Sequence, residues 1–156
     1  MRKLPNFKFT PEGFEKLKKE LAELSERRPG VLTRLVAARE QGDLSENAGY
    51  HAAREELGKI DSRVRELKLM IRLAEVVQAK EADIVGFGNK VMINDGENNL
   101  EFTIVSAQEA DPISGKISDS SPIGSALLGK KTGDTVSVYS PSGKADYRIV
   151  EIKIVS

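Results

Sequence analysis

Apolar residues recur at alternating spacings of three and four early in the chain, which is the heptad pattern of a helix that packs along one seam. Thr10 is a suitable N-cap and Pro11 a suitable first helical residue. Pro29 and Gly30 fall inside this helix, and since proline removes a backbone donor, we expect a kink or local break with the seam register intact. One seam position, Arg28, is polar. The seam residues are Phe14, Leu17, Leu21, Leu24, Arg28, Val31, Leu35 and Ala38.

A second heptad run follows a break at Gly42 and predicts a second helix. Because the two runs are similar in length and their connection is short, we expect an antiparallel hairpin that packs seam against seam. Helices of roughly 30 residues would reach about 45 Å. The second seam comprises Tyr50, Ala53, Leu57, Ile60, Val64, Leu67, Ile71 and Ala74.

The second half of the chain changes to short runs rich in β-branched residues, which predict strands. Ser121 and Pro122 are typical of a helix start, and Gly129 of a helix end, so a short helix is expected over 123–128. The predicted fold class is therefore α+β, with an N-terminal antiparallel α-helical coiled-coil hairpin over 1–80 and a mostly antiparallel β domain over 81–156. The predicted strands are Ile84–Val85, Lys90–Ile93, Leu100–Val105, Thr135–Tyr139 and Tyr147–Ile154.

Composition narrows the range of functions. The chain has 24 basic and 24 acidic residues among 156, so bulk attraction to nucleic acid is not indicated and any such contact needs a local patch. Cysteine is absent, which excludes a disulfide framework and a thiolate metal site. The first residues lack the apolar stretch of a signal peptide, and no later segment is apolar enough to span a bilayer. We therefore expect a cytoplasmic protein, with no membrane partner.

Two acids, Asp43 and Glu46, lie in the predicted turn of the hairpin and allow two interpretations. Their spacing fits a capping box, with Asp43 as N-cap and Glu46 three residues later. Their oxygens also suit Mg²⁺, which takes one or two carboxylates and fills its other positions with water or phosphate oxygens. The interpretations are compatible, because a helix N-terminus keeps carboxylates ionised.

Two exposed acids cannot hold Mg²⁺ alone against bulk water, so no cofactor is expected in the isolated chain. They can complete a site whose other ligands come from a partner, where the metal would activate a water for phosphodiester hydrolysis. A long hairpin makes sense if that site lies deep in the partner.

Two blocks of sequence resemble a known family, the bacterial Gre-type transcript cleavage factors (GreA/GreB), and GreA in particular. The first block spans 37–55 around Gly42-Asp43-Leu44-Ser45-Glu46, and the second spans 121–134, Ser-Pro-Ile-Gly-Ser-Ala-Leu-Leu-Gly-Lys-Lys-Thr-Gly-Asp. The resemblance implies an FKBP-like C-terminal domain that docks on bacterial RNA polymerase at the rim of its secondary channel. It also implies a hairpin that enters that channel and stimulates cleavage of backtracked RNA near its 3′ end. The chemistry would belong to the polymerase, and DNA binding is a further expectation of the family.

The resemblance assigns roles to particular residues. Asp43 and Glu46 would support a second Mg²⁺ in the polymerase active site. Arg39 and Arg54 would contact the RNA 3′ segment, and the alternative is that each is a solvated charge paired with a neighbour such as Glu40 or Glu55. The docking residues would be Ser120, Ser121 and Pro122, which also read as a helix cap followed by proline.

Two further residues near the turn have structural interpretations. Tyr50 belongs to the seam, and His51, the only histidine, reads as a surface residue. Two positions depart from the family pattern: Gly49 stands where an acid is usual and Ser125 where arginine is common.

Three hypotheses follow. The first is a monomeric elongation factor that assists polymerase. The second is an interaction module or polymerase inhibitor whose acids only cap a helix. The third, a free-standing metal nuclease, lacks a third ligand, and prolyl isomerase activity is not favoured because the β domain has few aromatic residues.

Overall fold

The protein's structure is a computed structural model that describes residues 6–42, 46–80 and 83–154. The first half forms the two predicted helices, α1 (Pro11–Arg39) and α2 (Ala48–Arg72). The Thr10 hydroxyl caps α1 by accepting the Gly13 N–H at 3.1 Å. The helix continues through Pro29, so the local break that the sequence predicted is not present.

The seam between α1 and α2 has the residues that the heptads predict. Every predicted seam residue is buried or half-buried, and Val31, Ile60 and Leu67 are at most 1% exposed. The predicted seam is wrong at its end, since α2 stops at Arg72 and Ala74 begins a strand. Met70, rather than Ile71, is the buried residue of the last turn.

Ion pairs between α1 and α2 show that the helices are antiparallel. The Arg28 guanidinium donates to both Asp61 carboxylate oxygens, at 2.7 and 3.3 Å. Arg34, further along α1, donates to Glu56, which lies earlier on α2. Arg28 is thus accommodated at a seam position because Asp61 neutralises it, and the pair raises the pKa of Arg28.

Two short strands, β1 (Phe7–Phe9) and β2 (Ala74–Val76), flank the helices and pair in parallel. Their register places Phe7 opposite Ala74 and Phe9 opposite Val76. Neither strand was predicted from the sequence. The pairing brings the chain before α1 beside the chain after α2.

A five-stranded sheet in the order β5-β4-β3-β7-β6 forms the second half. Its pairs are antiparallel except β4 with β5, which are parallel. The predicted strand Ile84–Val85 is wrong: Ile84 makes only an isolated bridge to Lys131. Three-residue β5 was not predicted. The strands are β3 (Asn89–Asn94), β4 (Asn99–Val105), β5 (Lys116–Ser118), β6 (Thr135–Ser140) and β7 (Gly143–Ile154).

A short helix, α3 (Pro122–Leu127), packs on this sheet as predicted, one residue earlier than expected. A Cβ on Gly124 would collide with the Ser118 carbonyl oxygen, so only glycine allows this close approach to the end of β5. Leu127 enters the core of the sheet and is fully buried. The other buried members of that core are Val85, Val91, Ile93, Ile104, Val136 and Ile149.

The chain divides into two compact units, each with its own contacts. The hairpin unit is Phe14–Leu73, and the sheet unit combines Met1–Gly13 with Ala74–Ser156. Strands β1 and β2 therefore belong with the sheet, and the predicted boundary near residue 80 lies seven residues after Leu73 in this division. Across the described ranges, no helix has the length and apolar character needed to cross a membrane.

Candidate functional site at the turn of the hairpin

The site consists of residues 40–47, which join α1 to α2 and are called the turn below. Gly42 has a φ of 101°, a conformation that residues with a Cβ rarely adopt. This explains why a glycine follows the end of α1. Asp43 lies outside the described residues. Glu46 is described, and it is exposed.

Asn47, and not Asp43, is the N-cap of α2. The Asn47 side-chain oxygen accepts the Tyr50 N–H at 3.0 Å. The capping-box prediction is therefore wrong, because α2 starts at Ala48, four residues later than a cap at Asp43 requires. Glu46 precedes the cap, so its carboxylate is not in the N3 position from which a capping box is completed.

Asn47 also joins the ends of the two helices. Its side-chain NH₂ donates to the Ala38 carbonyl oxygen at 2.8 Å, in the last turn of α1. The same carbonyl also accepts the Gln41 N–H at 3.2 Å, so the Asn47 amide is its second donor and connects the start of α2 to it. The sequence signal for the cap was available, since asparagine is among the best N-caps and directly precedes the apolar period. The bond to the Ala38 carbonyl could not be predicted from the sequence, because it depends on how the two helices pack against each other.

Glu46 presents a hard oxygen ligand to solvent. In the ranges that the structure describes, no group of three His, Cys, Asp or Glu side chains is arranged to hold a metal ion. A single exposed carboxylate, with Asp43 three residues before it, suits Mg²⁺ whose remaining ligands are water, phosphate or groups of a partner. This donor set fits a shared metal site rather than a self-contained one.

Arg39 and Arg54 flank the turn. Arg39 is the last residue of α1, Arg54 lies in the second turn of α2, and both are exposed. The predicted alternative that Arg54 pairs with Glu55 is wrong, because Glu55 binds Lys59 at 2.9 Å. That contact lowers the pKa of Glu55. As far as the structure describes the chain, neither arginine forms an ion pair, so both can meet an anionic partner.

The other residues in the first turn of α2 are explained by packing and solvent exposure. Tyr50 is half-buried in the seam, and His51 is exposed, with its ring edge-on to Tyr50 at 5.4 Å between centroids. Both outcomes agree with the sequence analysis. A Cβ added to Gly49 would meet only the Asn47 side-chain oxygen, at an ordinary 3.5 Å, so a larger residue fits there.

The predicted docking residues lie in the sheet unit, at the start of α3. The Ser121 hydroxyl accepts the Gly124 N–H at 3.1 Å and donates to the Ser118 carbonyl at 2.6 Å, so this residue is a helix cap. Ser120 and Pro122 are exposed. Ser121 therefore fixes the local backbone while its two neighbours face solvent.

Comparisons with known proteins cover almost the whole chain. Residues 7–76 match the family model "Transcription elongation factor, N-terminal", and residues 79–154 match "Transcription elongation factor, GreA/GreB, C-term". Transcription elongation factor GreA of Thioalkalivibrio sulfidiphilus is 45% identical over 152 residues, with coverage of 94% of this chain and 96% of the relative.

Two further proteins are similar to this chain. Transcription elongation factor GreA of Brucella canis is 42% identical over 157 residues, with coverage of 97% of this chain and all 100% of the relative. Among solved structures, GreA factor homolog 1 of Thermus thermophilus is 32% identical, with a TM-score of 0.46 and coverage of 95% of this chain and 99% of that one.

Proposed function

Because the chain belongs to the GreA/GreB family of transcription elongation factors, we propose that it binds bacterial RNA polymerase and stimulates cleavage of backtracked RNA. The observation that supports this most directly is the position of Glu46, an exposed carboxylate in the turn where the two long helices meet. In this proposal the chain is not itself an enzyme. It supplies ligands to the active site of the polymerase.

The hairpin would deliver the acids through the secondary channel of the polymerase. With 29 residues in α1 and 25 in α2, the helices extend about 40 Å. A two-helix rod of this length places the turn far from the base of the hairpin. It therefore suits a partner site that lies at the end of a channel.

The turn would complete a metal site in the polymerase. Asp43 and Glu46 would supply carboxylate oxygens to a Mg²⁺ that neither the chain nor its turn holds alone. When bound there, the metal supplies an activated water and charge stabilisation for phosphodiester hydrolysis. Arg39 and Arg54 would contact phosphates near the RNA 3′ end, since guanidinium groups bind phosphate oxygens through paired hydrogen bonds.

The sheet unit would dock on the polymerase at the channel rim. Ser120 and Pro122 are exposed, whereas the cap at Ser121 holds the backbone between them. A fixed backbone lowers the ordering cost of binding. These residues are therefore suited to a preformed contact with the polymerase.

The test uses backtracked bacterial elongation complexes whose RNA is labelled at the 3′ end. We expect the native chain to release short 3′ fragments in the presence of Mg²⁺. Glu46→Gln and Asp43→Asn should each slow release by about 100-fold, because metal-held charge is worth several kcal/mol and each 1.4 kcal/mol is tenfold. Glu40→Gln, which neutralises another exposed acid of the turn, should change the rate little.

The alternatives predict other outcomes in the same assay. An interaction module or inhibitor would compete for polymerase without releasing fragments, and Glu46→Gln would change nothing. A free-standing nuclease would cut the labelled RNA when polymerase is left out. Either result would overturn the proposal.

A further inference from the structure

A single side-chain amide connects the two helices of the hairpin across the turn. Asn47 accepts the Tyr50 N–H at 3.0 Å on α2 and donates to the Ala38 carbonyl at 2.8 Å on α1. Asn47 is half-buried, and its own carbonyl accepts the His51 N–H at 3.1 Å as the first helical bond of α2. Its backbone and its side chain are thus both held in place.

Capping alone does not require asparagine at this position. Serine, threonine and aspartate cap helices through an oxygen acceptor, as Ser121 does for α3. The bond to Ala38 needs a donor on the same side chain, and a short amide offers an acceptor and a donor in fixed geometry. An ionised aspartate would place an acceptor against the Ala38 carbonyl.

Glu46 is the residue directly before this link. Its peptide bond to Asn47 is anchored, whereas its carboxylate is exposed. Within the described ranges no hydrogen bond or ion pair holds that carboxylate, so its placement depends on the backbone that carries it. The anchored backbone is the one next to Asn47.

We propose that Asn47 is a positioning residue: by tying Ala38 to the start of α2, it fixes where the turn presents the Glu46 carboxylate. The inference rests on the function proposed above. A misplacement of about 1 Å in a catalytic group costs up to about 100-fold in rate. Loss of the link should therefore lower the rate of cleavage at saturating protein and leave the affinity for polymerase nearly unchanged.

The decisive variant is Asn47→Asp, which keeps the shape and the capping oxygen of the side chain and replaces the NH₂ that donates to Ala38 by an acceptor oxygen. The matched control is Gln41→Glu, which makes the same change from amide to carboxylate at an exposed position of the same turn. We expect Asn47→Asp to slow fragment release by about tenfold or more at saturation, with an unchanged half-saturating concentration and unchanged helix content. Equal saturated rates for Asn47→Asp and Gln41→Glu would overturn the inference, as would a loss confined to affinity.

A second measurement does not involve polymerase. The chain has no cysteine, so spin labels at Glu26→Cys and Glu46→Cys report one distance between α1 and the turn. Asn47→Asp should broaden or shift the distance distribution, and Gln41→Glu should leave it as in the native background. An unchanged distribution would refute the positioning role. If the native chain releases no fragments, the proposed function fails, and the distance measurement still decides whether Asn47 places residue 46.

Discussion

The hairpin unit and the sheet unit bury their apolar side chains to different degrees. In the sheet unit Val91, Ile93, Ile104 and Ile149 are each 0% exposed, because the sheet and α3 enclose them. In the hairpin about half of the seam residues, such as Leu57, are only half-buried, since two helices cover a seam from one direction. The sheet unit therefore depends on an enclosed core, and the hairpin on repeated contacts of which many are partly exposed.

Ile93→Ala in β3 should cause the largest loss of stability, and it tests this difference between the units. Ile93 is fully buried, and truncation of a buried isoleucine costs about 2–5 kcal/mol through lost burial and a residual cavity. Hydrogen exchange measured by mass spectrometry should show faster exchange in β3, β4 and β7. Leu57→Ala, in the half-buried seam, should cost less. Equal losses in both variants would contradict the contrast between the units.

Gly124→Ala should cause the next largest loss of stability, also in the sheet unit. The added Cβ would collide with the Ser118 carbonyl, which is backbone and cannot rotate away. Overpacking of this kind costs about 1–3 kcal/mol. Thermal unfolding checks the loss, and Ser125→Ala, an exposed neighbour in α3, should stay within about 0.5 kcal/mol of the native chain.

Gly30→Ala should stabilise the hairpin, in contrast to the two destabilising changes in the sheet unit. Gly30 lies inside α1, and a Cβ there would meet no atom within 4 Å. Alanine is favoured over glycine in a helix by about 1 kcal/mol, so the free energy of unfolding of the hairpin should rise by about that amount. Urea unfolding followed by circular dichroism measures the change. Gly42→Ala, where φ is 101°, should instead destabilise the turn.

The smallest effect is expected for Asp61→Asn, and it depends on pH. The hydrogen bond from Arg28 lowers the pKa of Asp61 below its ordinary value of about 3.9. The pair therefore stabilises the fold above that ordinary pKa, and this contribution disappears as pH falls through the lowered value. The native chain should lose stability more steeply than Asp61→Asn as pH falls below about 4 in urea titrations. Parallel pH profiles would show that the pair contributes nothing.

Much of the hairpin could be predicted because the same apolar spacing repeats along both helices. Spacings of three and four over many turns set both the helices and their buried faces, and Thr10 gave the start of α1. The partner of Arg28 could not be predicted, since Asp61 lies 33 residues away and several acids on α2 were possible. The bond from the Asn47 side chain to the Ala38 carbonyl could likewise not be predicted, because only the folded hairpin brings the two groups near each other.

The sheet unit was predictable where strands are long and alternate. Val91 and Ile93 in β3 follow the period of two, and β3, β4 and β6 were predicted to within one residue of their observed limits. Strand β7 starts at Gly143, four residues before the predicted start. Strands β1, β2 and β5 have three residues each, too few to show a period, and they form only through pairing with distant segments. In the candidate site, the exposure of Glu46 agrees with the sequence, whereas the role of Asp43 stays a prediction.

Because β1 and β2 pair in parallel, the hairpin is an insertion whose two connections leave the sheet unit side by side. Phe9 and Val76 are paired neighbours, so the two chain ends that carry the hairpin leave the sheet unit about 5 Å apart. The hairpin can then vary in length without changing its attachment points. Removal of one heptad from each helix would keep the seam in phase and shorten the reach by about 10 Å. The length of the hairpin is thus set by the number of heptads, independently of the sheet unit.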